Sequence, residues 1–287
     1  SWSARPCPTA LRAAMPPLAD LLLFALALVA AGVVSCLLAG IFGIGGGAIL
    51  VPVFYQVFGY LDVPEAVRMH LSIGTSIAII VPTSIRSYTA HRTRGAVDTD
   101  LLKSWIVALP LGAILASVIA ALISSVGLRL VFVGIALLVA LRMLFNRDTW
   151  RIGSELPKGF GNQVAGVVIG TLSGLMGIGG GVLNNTYMTS FGQPIHRAVA
   201  TSAGVGVLIS IPGIIGYVWA GWGAPGLPPY STGFINWIAV ALITPVALVV
   251  TPWGVRIAHT MSKRQLEIGF GVFLILVSVR FLVSIYG

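Results

Sequence analysis

Apolar residues run through this chain in long stretches, and polar residues mark the short joints between them. Ten such stretches can be drawn, at about 18–39, 44–59, 66–90, 99–122, 127–145, 160–175, 178–191, 197–221, 231–255 and 265–286. Crossing hydrocarbon takes roughly 20 helical residues. Most of the stretches meet that length, while the second, sixth and seventh fall short. The pattern predicts an all-α, polytopic helical membrane protein whose three short stretches are half-helices.

The shortfall coincides with a repeated string. Residues 40–47 read G-I-F-G-I-G-G-G and residues 174–181 read G-L-M-G-I-G-G-G, and each interrupts an apolar stretch. Glycine weakens a helix and opens backbone conformations that other residues avoid. In lipid, backbone freed from a helix persists only when it is buried in protein or lines a cavity. Matching breaks in two halves are the mark of a carrier with its site at the repeat interface. Five stretches per half is an odd number, so the second half enters the membrane in the opposite sense and the repeat is expected to be inverted. Gly74-Thr75-Ser76 matches Ala200-Thr201-Ser202, and Arg142-Met143-Leu144 matches Arg280-Phe281-Leu282. The domain reading is a tail over 1–15, one transmembrane repeat over 16–145, a connector over 146–159 and a second repeat over 160–287.

Composition agrees: 57% of residues are hydrophobic and 9% charged, with a mean hydropathy of +0.98. The net charge of +9 would suit nucleic acid, but the placement of the charges argues otherwise. Arg92, Arg94, Lys103, Arg142, Arg147, Arg151, Lys158, Arg197, Arg256, Lys263 and Arg264 sit by alternate joints. The positive-inside rule puts those joints in the cytoplasm, the 146–159 connector among them, with both termini outside. The reading is a multi-pass protein of the cell inner membrane, with the lipid bilayer as its surroundings and no nucleic-acid partner.

The acids are Asp20, Asp62, Glu65, Asp98, Asp100, Asp148, Glu155 and Glu267, all in joints or near segment ends. A cation carrier would bury an acid at mid-membrane. What remains is hydroxyls, amides, a few cations and the N–H groups of helices that begin at glycine breaks, where the dipole is positive. Those groups favour a small anion. The candidate substrate-binding residues are Gly43, Gly45, Gly46, Gly47, Thr75, Ser76 and Arg86 in the first half. In the second half they are Gly177, Gly179, Gly180, Gly181, Asn184, Asn185, Thr201 and Ser202.

Each has a plainer role to set beside this one. Glycines serve close helix packing, hydroxyls bond to the preceding turn, Asn184 and Asn185 cap the broken helix, and Arg86 snorkels to the interface. Cys7 and Cys36 form no framework and no metal site. Walker, H-E-x-x-H and G-x-S-x-G motifs are all missing, so the reading includes no enzyme, catalytic residue, cofactor or metal. Protons are the candidate coupling ion, with histidine as the titrating group, and the oligomeric state is left open.

The paired breaks, the G-T-S of the third stretch, R-A-V-A-T-S at 197–202 and G-Y-V-W-A-G-W-G-A-P-G-L-P-P at 216–229 resemble the sulfite exporter TauE/SafE family. The likeness runs from about residue 18 to the end. It implies transport, in the export direction, of sulfite or a small organosulfur anion such as a sulfonate. A passive anion channel is the runner-up and a non-transporting membrane scaffold the third reading. The first break continues into Val51-Pro52 and the second into Asn184-Asn185-Thr186, so the two half-sites are expected to differ.

Overall fold

The structure is a computed structural model that describes residues 18–42, 47–145, 153, 155–157, 159–258 and 260–286. The described chain is almost wholly helical. It comprises α1 (Leu18–Phe42), α2 (Gly47–Tyr60), α3 (Glu65–Arg92), α4 (Thr99–Ser104), α5 (Ala108–Leu122) and α6 (Ser125–Phe145). After the connector follow α7 (Phe160–Met176), α8 (Gly181–Ser190), α9 (Ile195–Ala220), α10 (Trp237–Ala258) and α11 (Lys263–Tyr286). Five of these helices, α3, α6, α9, α10 and α11, hold windows long and apolar enough to cross a membrane.

Two local departures from the hydropathy pattern have clear causes. The fourth stretch is two helices. Pro110 has no N–H to offer the Ile106 carbonyl, and the chain turns at 105–107 before α5 begins. Trp105 fills that turn, fully buried, and donates its indole N–H to the Asn162 carbonyl at 2.8 Å. The ninth stretch starts late. Residues 231–236 form a two-residue antiparallel ladder, β1 (Ser231–Thr232) with β2 (Ile235–Asn236), around a positive-φ Gly233.

Helix α3 is the most enclosed span and packs along α9, while α10 and α11 leave the most surface open. α1 lies against α10, α5 against α7, and α6 against α11. The first two pairs approach to backbone contact. A Cβ on Gly40 would meet the Thr251 carbonyl and come 2.9 Å from Gly254 Cα. A Cβ on Gly112 would meet the Val167 carbonyl and come 2.9 Å from Gly170 Cα. Small residues earn such approach in lipid, where dispersion contact rather than the hydrophobic effect holds helices together.

Polar contacts gather at the two ends. At one end Arg129 pairs with Glu65, and His70 Nε2 lies 2.9 Å from the Ala120 carbonyl. At the other, Arg197 pairs with Asp98 at 2.9 Å and Arg264 donates to the Leu144 carbonyl at 2.7 Å.

Candidate functional site

The second break is built by glycine in the strict sense. Helix α7 ends when Gly177 turns left-handed at φ 68°, and the Ile178 N–H reaches back to the Ser173 carbonyl at 3.1 Å. That bond from the residue beyond the cap to the carbonyl five back is the Schellman arrangement. Gly179 and Gly180 follow at φ 58° and 83°, and α8 starts at Gly181. Nothing but glycine takes three such angles in four residues without strain. All of it is buried.

The first intrahelical bond of α8 runs from the Asn184 N–H to the Gly180 carbonyl at 2.9 Å. The N–H groups of Gly179, Gly180, Gly181, Val182 and Leu183 find no acceptor among the described residues. Buried, unsatisfied donors at the positive end of a helix are what an anion would occupy.

The first break meets this one. Gly47 opens α2, and a Cβ there would strike the Gly177 carbonyl and lie 2.6 Å from Ile178 Cα. Gly43, Gly45 and Gly46 lie outside the described residues. From the junction α2 runs to the Glu65 end and α8 to the Asp98 end. At 1.5 Å per residue their 14 and 10 residues span about 21 and 15 Å, slightly more than a hydrocarbon core of about 30 Å. Together the two helices are long enough to cross such a core.

The hydroxyls lie around this junction with definite partners. Ser76 donates to the Gly177 carbonyl at 2.9 Å, which steadies the break itself. Thr75 accepts the Asn236 N–H at 3.1 Å, and Asn236 caps α10 by accepting the Ala239 N–H at 2.9 Å. Thr201 accepts the Asp98 N–H at 2.9 Å, and Asp98 caps α4 by accepting the Leu101 N–H at 3.0 Å. Ser202 accepts from Asn184 Nδ2 at 2.7 Å and donates to Asn185 Oδ1 at 2.8 Å. The Asn184 side-chain amide oxygen, Oδ1, is buried with no partner among the described residues. These hydroxyls bond across helices, and only Ser72, Thr83 and others elsewhere bond back to their own turn.

Arg86 lies apart from the junction. Its side chain is exposed, and Nη1 donates to the Leu248 carbonyl of α10 at 3.1 Å. Pro252 sits four residues on in α10 and has no N–H for that carbonyl. The guanidinium replaces the missing bond.

Sequence reasoning passed over Asp98 and Asn236, treating one as a joint acid and the other as part of a span. Asp98 is buried, with its carboxylate shared between the α4 cap and Arg197. The available signal was their type: both are Asx residues immediately before a helix, the preferred caps.

The family described as Sulfite exporter TauE/SafE matches residues 28–281, a range that contains both glycine breaks. The chain belongs to the sulfite exporter TauE/SafE family. A probable membrane transporter protein of Haemophilus influenzae is 29% identical over 249 residues, covering 87% of this chain and 94% of its own. Another, from Methanocaldococcus jannaschii, is 30% identical over 244 residues, covering 84% and 89%. A third, from Bacillus subtilis, is 23% identical over 272 residues, covering 88% and 95%. No solved structure matches the chain. As a TauE/SafE member the chain is a multi-pass membrane transporter, which is not a class of enzyme, and it acts on a small molecule from within the bilayer.

Proposed function

We propose that this transporter carries a small sulfur-containing oxyanion, sulfite or a sulfonate, by alternating access through a site at the junction of the two glycine breaks. The carrying observation is the buried row of N–H groups at the start of α8 that have no acceptor among the described residues, set against Gly47 of the other break. Those donors have the sign and placement for an oxyanion, and no described acid competes for them at that depth. Gly47, Gly177, Gly179, Gly180 and Gly181 form the cradle, and Gly43, Gly45 and Gly46, outside the described residues, are the remaining candidates from the first break. Ser76 and the Asn184–Ser202–Asn185 chain hold its shape, while Thr75 and Thr201 tie it to the flanking helices.

Contacts that exchange between the halves support an inverted repeat over 16–145 and 160–287. α1 on α10 mirrors α7 on α5, and α2 on α3 mirrors α8 on α9. Thr75 holding the cap of α10 mirrors Thr201 holding the cap of α4. The placement of basic joints supports the cell inner membrane, with the 146–159 connector in the cytoplasm. Export follows the family description, and protons are the proposed coupling ion.

The test is flux of labelled sulfite, sulfoacetate and acetate in proteoliposomes, with and without a pH gradient. Saturable movement of a sulfur anion that responds to the gradient is expected. Flux that never saturates would replace the carrier with a channel. Gly180→Leu pushes a side chain into Val205 and Ile209 at a left-handed φ; it is expected to abolish flux, and undiminished transport would remove the site from the junction.

A further inference from the structure

Of the buried side-chain polar atoms without a partner among the described residues, three lie at the Glu65 end: Tyr55 Oη, His70 Nδ1 and Arg129 Nε. They belong to α2, α3 and α6, well away from the glycine junction. Arg129 is the centre. Its side chain is fully buried, yet its partner Glu65 is 55% exposed. Nη2 holds the Glu65 carboxylate, and Nη1 donates to Ser284 Oγ at 3.1 Å. The guanidinium carbon stands 5.3 Å from the Tyr55 ring centroid, with Arg68 at 5.4 Å from the same ring. Two guanidinium groups and one carboxylate leave a net positive charge around an unsatisfied Tyr55 hydroxyl and an unsatisfied Arg129 N–H.

A buried charge left without a partner is costly, so Arg129 keeps an anionic partner. Here only the cation is enclosed, and the acid reaches it from the rim. Glu65 also lines an open cleft of about 520 Å³, with Ala66, His70, Ser124, Ser125 and Phe234, and stands between that cleft and the enclosed Arg129. Glu65 also sits in the first turn of α3, where the helix dipole favours its charge even when it leaves Arg129. His70 shares Nε2 between the Ala120 and Ile123 carbonyls, at 2.9 and 3.1 Å. That nitrogen must carry the proton, so the buried Nδ1 is left as an acceptor and offers an anion nothing.

We infer that Arg129 is a second oxyanion station at the Glu65 end of the transporter, plugged in this conformation by the Glu65 carboxylate acting as an internal stand-in for the cargo. An anion travelling between the junction and that face displaces Glu65 into the cleft. It takes the Nη2 and Nε donors together with the Tyr55 hydroxyl, and Glu65 returns when the anion leaves. The inference rests on the chain being an anion carrier, as proposed above.

The experiment is thermal unfolding of the purified full chain in detergent and gluconate buffer, with inorganic sulfate as the probe. Glu65→Gln removes the competing charge and leaves the arginine unpaired. Its midpoint is expected to fall and then to be restored by sulfate at about one tenth of the concentration that affects the parent protein, the scale of one charge-assisted bond. Glu65→Asp, with a shorter reach and the charge kept, is the second variant and should respond at an intermediate concentration. Adding Arg129→Gln to Glu65→Gln should erase the rescue. Equal sulfate dependence in parent, Glu65→Gln and Glu65→Asp would overturn the station and leave a structural ion pair. Sulfite flux by the parent protein in liposomes is scored separately: a parent without flux sinks the carrier reading, whatever sulfate does to the midpoints.

Discussion

A single guanidinium illustrates how residue type and backbone chemistry interlock. Arg86 reads from sequence as an in-span cation, free either to attract an anion or to snorkel. In the fold it satisfies the Leu248 carbonyl that Pro252 leaves open. An unmet carbonyl in lipid costs on the order of 1–3 kcal/mol. Arg86→Leu is therefore expected to lower the thermal midpoint in detergent, and Pro252→Ala, which restores the helical N–H, should remove most of that loss. Full loss in both backgrounds would mean that the guanidinium does not act by serving that carbonyl. The same lesson governs the polar residues that sequence reasoning placed least well. Asp98 was legible as an acid at a segment end, but not as a buried cap bonded to Arg197, because its partner lies on another helix and no local pattern encodes it.

Helices were largely legible because hydropathy sets their length and glycine sets their breaks. Both breaks and most boundaries fall within a few residues of the apolar runs. What the pattern could not give is the division at Trp105, where one proline and one buried indole outweigh continuous hydrophobicity, or the small ladder before α10, which hydropathy merges with the helix. At this scale the two threonine contacts act as matched fastenings, Thr75 toward the Glu65 end and Thr201 toward the Asp98 end. Loosening one should favour opening on its own side. In a background with Cys7 and Cys36 changed to serine, Ser84→Cys, buried beside Gly206, is expected to react severalfold faster with a water-soluble thiol reagent when Thr201→Val is added. Thr75→Val should leave that rate unchanged. Equal acceleration by both would mean that the contacts serve general stability alone.

For the molecule as a whole, sidedness is the prediction that charge placement makes. Trp222 is exposed in the loop before β1, and Arg94 is exposed just after α3. In the same cysteine-free background, Trp222→Cys and Arg94→Cys should be labelled by an impermeant maleimide from opposite faces of right-side-out vesicles, Trp222→Cys from outside. Labelling from the same face would refute the proposed topology. The glycine contacts described above carry a last consequence. Because α1 is seated to backbone depth on α10, and α5 on α7, each half of the chain offers a groove to a helix of the other. A half made alone would present those grooves to lipid tails, which fill them poorly. If the proposed repeats are the units, two separate halves are expected to need each other before either packs fully. The connector between them then serves stoichiometry more than architecture: it guarantees that every groove is synthesised together with the helix that closes it.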